Sequence, residues 1–83
     1  EGNHQNIIDK KIIYFLERVR NEYLMDTSNL DENFIKKLHL KTGKDLKDIE
    51  HLVYLINYQR RSYNQSIESD LIEINNAIEK IIN

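Results

Sequence analysis

A chain of 83 residues with 40% hydrophobic and 31% charged residues and a formal net charge of −2 has room for one folded domain, 1–83, and no more. It has no cysteine, which excludes disulfides, Cys-based zinc sites and thiol chemistry, and its two glycines, Gly2 and Gly43, are too few for a phosphate-cradling loop. The charge balance lacks the basic surplus of a general nucleic-acid binder, and no apolar run approaches the roughly 20 residues that span a bilayer.

Helical periodicity dominates the chain. The first predicted helix runs from about Asn6 to Met25. Ile8, Ile12, Phe15, Val19 and Tyr23 form its apolar stripe, flanked by Ile7, Leu16 and Leu24, while Asp9, Lys10, Glu17, Arg18, Asn21 and Glu22 fill the opposite face. Asp26 to Asn29 are turn and cap formers that interrupt the pattern. A second helix is expected from Leu30 to Thr42, with Asn29 as N-cap, Glu32 completing a variant capping box, and Phe34, Ile35 and Leu38 facing inward. Gly43 suits the left-handed position that ends it. Asp45 caps a third helix, Leu46 to Arg61, whose inner face is Leu46, Ile49, Val53 and Ile56, widened by Leu52 and Leu55. Arg60 and Arg61 complement its negative dipole end. Ser62 to Gln65 reads as a loop, and Ser66 caps a fourth helix from Ile67 to Ile82. In that helix Ile67, Leu71, Ile74, Ile78 and Ile81 alternate spacings of four and three, the seam of a coiled coil or tight bundle. The expected fold is all-α, a compact bundle of about four helices with short connections.

Chemistry is sparse. His4, His39 and His51 lack the i, i+4 spacing and the paired ligands of a helical zinc site, so no metal or cofactor is expected; a set of His39, His51 and Glu50 is the only alternative to surface histidines. The carboxylates are scattered over polar faces instead of converging as a general acid/base pair. The serines sit in turns and caps without nucleophile-elbow glycines. The reading is therefore non-enzymatic, with no catalytic residue assigned.

Two features point to contact. Tyr54, Tyr58 and Tyr63 lie beside Gln59, Arg60 and Arg61, and Tyr and Arg are enriched at protein interfaces. The same composition serves a bundle edge or, less readily, base stacking. Ile72 and Ile82 lie beside an already full apolar seam and leave room for a second copy of the chain. The runner-up is a DNA-binding helix-turn-helix from Phe34 to Val53 with its turn at Thr42-Gly43. Against it, the would-be recognition helix opens Asp45, Leu46, Lys47, Asp48, then Glu50, and His39 stands where a small close-packing residue is usual.

Several segments carry a resemblance: Phe15-Leu16-Glu17, the run Asp26-Thr27-Ser28-Asn29-Leu30-Asp31-Glu32-Asn33-Phe34-Ile35, Lys41-Thr42-Gly43, and Leu71-Ile72-Glu73-Ile74-Asn75 with Ile78-Glu79. Together they resemble the C-terminal soluble region of an uncharacterised bacterial membrane-protein family, a domain of unknown function preceding a transmembrane segment and often encoded near a MoxR-type ATPase. The likeness covers His4 to Ile82, and the loop around Tyr63 and Gln65 departs from it. It implies a tail on the cytoplasmic face of the inner membrane, attached through a segment outside this chain, and docking to a protein partner. It implies no activity and no cofactor. The start at Glu1 in place of Met fits a piece of a longer protein.

Overall fold

The computed structural model describes residues 4–61 and 68–82. Among them it contains four helices: α1 (His4–Tyr23), α2 (Glu32–Thr42), α3 (Leu46–Arg61) and α4 (Glu68–Ile81). The expected loop at Ser62 to Gln65, the Ser66 cap, Ile67 and Tyr63 lie outside the described residues.

In α1 the apolar stripe turns inward as its spacing requires, and Ile8, Ile12, Phe15, Leu16 and Val19 are buried. The helix stops two residues before Met25, short of the end that the sequence pattern predicts. Leu24 takes φ 55°, a left-handed conformation that is uncommon outside glycine and asparagine, and its side chain is 83% exposed. That reversal returns Met25 to the core. The left-handed backbone costs a Cβ-bearing residue about 1–2 kcal/mol; glycine relieves that strain, and only part of the relief is kept because glycine is freer when unfolded. Leu24→Gly is therefore expected to stabilise the domain by about 0.5–1 kcal/mol, raising Tm by several degrees in a circular-dichroism melt; a lower Tm would show that the exposed leucine makes contacts outweighing the strain.

The connection to α2 is tied down by side chains. Arg20 Nη1 donates to Thr27 Oγ1 at 2.8 Å, and Asn57 Nδ2, reaching over from α3, donates to the Leu30 carbonyl at 3.3 Å. Leu30 is itself buried. This is why α2 begins later than Asn29 would have started it: a helix opening at Leu30 would pull that residue and its carbonyl away from the core. Asp31 caps instead, in extended conformation, its Oδ1 accepting the Phe34 N–H at 3.1 Å, and Glu32 becomes the first helical residue. Gly43 ends α2 as expected, at φ 71° with its N–H on the His39 carbonyl at 2.9 Å. Asp45 caps α3 as expected, its carboxylate accepting the Lys47 N–H at 3.2 Å.

Packing order differs from chain order. α4 lies between α1 and α3, and α2 packs on α3. One core joins all four, with Ile8, Val19, Leu38, Ile49, Leu52, Ile56, Ile74 and Ile81 fully buried. On α4 the buried residues Ile74, Ala77 and Ile81 point into it, and the small Ala77 lets a neighbouring helix approach closely. Leu46, expected on the inner face, sits at the first turn of α3 and is 36% exposed, because the core begins one turn further on at Ile49. Ile82, expected on the outer edge, is buried; Ile72 is 52% exposed, as expected for that edge. The body measures 39 × 21 × 20 Å, its length matching the roughly 30 Å of a 20-residue helix plus its ends.

Candidate contact site on the third and fourth helices

The helix α3 turns Leu52, Val53, Leu55, Ile56 and Gln59 into the protein. That fixes what remains outside. Tyr54, Tyr58 and Arg61 follow at i, i+4 and i+7 and share one exposed ridge. Arg60 is exposed too but lies well round the helix from Tyr58, since two residues span more than half a turn. The sequence cluster is thus divided: Tyr54, Tyr58 and Arg61 share a face, Arg60 does not, and Tyr63 is outside the described residues.

Tyr54 and Tyr58 stack on each other, with ring centroids 6.3 Å apart and planes 23° apart. They are 59% and 46% exposed. Between them and α4 lies a groove of about 200 Å³, with Leu55, Gln59 and Ile74 deepest and Asp70 and Glu73 on the far wall. His51 Nε2 stands 3.5 Å from Glu73 Oε2, an exposed pair one turn before Tyr54. Neither Asp70 nor Glu73 belongs to the Tyr/Arg cluster that the sequence presents. Both sit on a flank of the α4 seam, Asp70 three residues before Glu73, and that flanking i, i+3 pair was the one available signal; which helix it would face is decided by tertiary packing alone.

Two other grooves are described. The larger, about 450 Å³, runs beneath the α1–α2 connection and is lined by Leu24, Asp26, Asp31, Asn33, Lys37 and Lys41 among others. Its charges are mixed. Asp26 accepts the Ser28 hydroxyl at 2.6 Å and the Ser28 N–H at 3.0 Å. Those two bonds, with Lys37 adding a smaller effect, hold its carboxyl below the ordinary 3.8. A depressed folded-state pKa contributes stability that is present above the unfolded value and lost as pH falls through the folded one. Ser28→Ala, which removes the first of these bonds, is expected to move the Asp26 titration back towards 3.8 in a carboxyl-detected NMR titration; an unmoved midpoint would assign the depression to the Ser28 backbone N–H, with Lys37 behind it. A smaller groove of about 170 Å³ lies between α1 and α4, with Tyr14 and Ile78 on its sides and Lys11 and Arg18 at its rim. Arg18 is paired with Glu22 at 3.0 Å.

The histidine set does not converge. His39 Nδ1 meets the Lys44 carbonyl at 2.6 Å, so it carries the proton and braces the α2–α3 turn. Thr42 supports the same turn, its hydroxyl donating to the Leu38 carbonyl and accepting the Lys44 N–H. His51 faces Glu73 instead. Among the described residues no three His, Asp or Glu side chains are grouped to hold a metal ion, and no helix is long and apolar enough to cross a membrane.

No curated protein and no solved structure matches the chain. A family model does: the DUF4350 C-terminal helical domain matches residues 1–83.

Proposed function

The chain belongs to the DUF4350 C-terminal helical domain family, and from that premise we propose that it acts as a non-catalytic protein-interaction module whose contact surface is the Tyr54–Arg61 ridge of α3. The observation that carries this is the pair of stacked, half-exposed tyrosines beside a groove. The core closes without them, so their area is available to a partner, and Tyr is among the residues that dominate interface energetics. The finer setting rests on the sequence resemblance: the domain is the cytoplasmic tail of a membrane-anchored bacterial protein and docks to a protein encoded nearby, with a MoxR-type ATPase the first to test. Affinity capture with the parent domain and with a Tyr58→Ala, Arg61→Ala variant tests the surface. The variant is expected to lose at least one partner while keeping its helical spectrum; recovery of the same set at the same yield would remove the ridge from the account.

One observation favours a DNA-binding helix-turn-helix as the second reading. Lys36, Lys37, Lys41, Lys44 and Lys47 are all exposed across α2 and the turn into α3. Against it, one N-terminal amide of α3 that would meet a phosphate, that of Lys47, is already taken by the Asp45 carboxylate, and a carboxylate there repels the backbone of DNA. A gel-shift titration at low salt is expected to show no retardation. A shift that weakens steeply with added salt would favour this second reading.

A further inference from the structure

We infer that the α3–α4 groove receives an arginine side chain presented by the partner protein, a deepening that rests on the contact reading above. The groove offers each part of arginine a matching surface. Leu55 and Ile74 give the aliphatic stem apolar surface on a floor they share with Gln59. The rings of Tyr54 and Tyr58 form one wall, and ring faces attract cations, guanidinium most readily because it is planar and stacks. The opposite wall carries Asp70 and Glu73, whose oxygens suit the forked donors of the same group. A carboxylate has about four lone-pair sites, so existing bonds at Asp70 and Glu73 leave capacity for an incoming fork. The surrounding charge agrees. The first turn of α4 is acidic through Glu68 and Asp70, Arg61 stands at one end of the ridge outside the groove lining, and at the other end His51 meets the Glu73 carboxylate through one oxygen at 3.5 Å. Lysine would satisfy the charge but neither the planar stacking nor the paired donors.

The test titrates the 15N-labelled domain with N-acetyl-arginine amide, with the citrulline amide as its neutral isostere, with the lysine amide, and with spermidine as a free cation. The arginine probe is expected to shift residues 54, 58, 70 and 73 together with millimolar saturation, at least tenfold tighter than citrulline and tighter than lysine. The Asp70→Asn, Glu73→Gln double variant and, separately, Tyr58→Leu should each weaken that response severalfold while leaving the remaining amide spectrum in place. Equal binding of citrulline, equal binding of lysine, tighter binding of spermidine, shifts scattered over other acidic faces, or an indifferent double variant would each overturn the assignment. Failure here is separable from failure of the contact reading. If the probes do not bind but Tyr58→Ala, Arg61→Ala still loses its partner, the ridge stands and the arginine falls.

Discussion

Leu52→Ala is expected to destabilise the domain by about 2–5 kcal/mol, the range for truncating a fully buried leucine whose surroundings collapse only in part. Leu52 is fully buried on α3, the helix that packs against both α2 and α4. A chain of 83 residues has a total stability of roughly 4–12 kcal/mol at about 0.05–0.15 kcal/mol per residue. The loss is thus a large share of the whole, and the variant should unfold at a much lower urea midpoint with an unchanged slope. The neighbouring Leu55, at the floor of the groove and slightly exposed, is the internal comparison: Leu55→Ala should cost clearly less. Equal losses at both positions would mean that the groove floor is packed as tightly as the centre.

Gly43→Val is expected to cost about 2 kcal/mol through the backbone. Gly43 sits at φ 71°, and a Cβ added there would meet nothing within 4 Å. Steric collision with neighbours is therefore absent, and the penalty is that of placing a branched residue in the left-handed region. Gly43→Asn should cost less than half as much, since asparagine tolerates that conformation. Chemical denaturation of the two variants measures the difference directly. If Val and Asn were equally costly, the loss would have to come from the Gly43 N–H bond to the His39 carbonyl or from the turn that His39 and Thr42 brace.

The fold was legible where the determinants are local. The Ile8, Ile12, Phe15, Val19 stripe, the Gly43 stop and the Asp45 cap follow from residues within a few positions of each other, and all three stand in the structure. The departures share one cause, which is that distant contacts override local preference. Asn29 is as good a cap as Asp31, and only the burial of Leu30 beneath α3, with Asn57 on its carbonyl, makes Asp31 the one used. Nothing local makes Leu24 left-handed; the demand comes from returning Met25 to the core. The contact site shows the same division. Tyr54, Tyr58 and Arg61 are readable as one helical face, but Asp70 and Glu73 enter the groove because α4 packs against α3. The placement of α4 between α1 and α3 also leaves Ile72 as the exposed apolar residue of the edge at which the sequence leaves room for a second copy, with Ile82 enclosed.

On the proposed function, the Tyr54–Tyr58 ridge is covered by a protein partner. Oxidative footprinting of the chain in cell extract, read by mass spectrometry at each tyrosine, measures that cover, with Tyr14 on α1 as an internal reference because it is 63% exposed against 59% for Tyr54 and 46% for Tyr58. Tyr54 and Tyr58 are expected to be protected relative to the purified domain while Tyr14 is labelled as before. Unchanged labelling of Tyr54 and Tyr58, or protection of Tyr14 in their place, would contradict it.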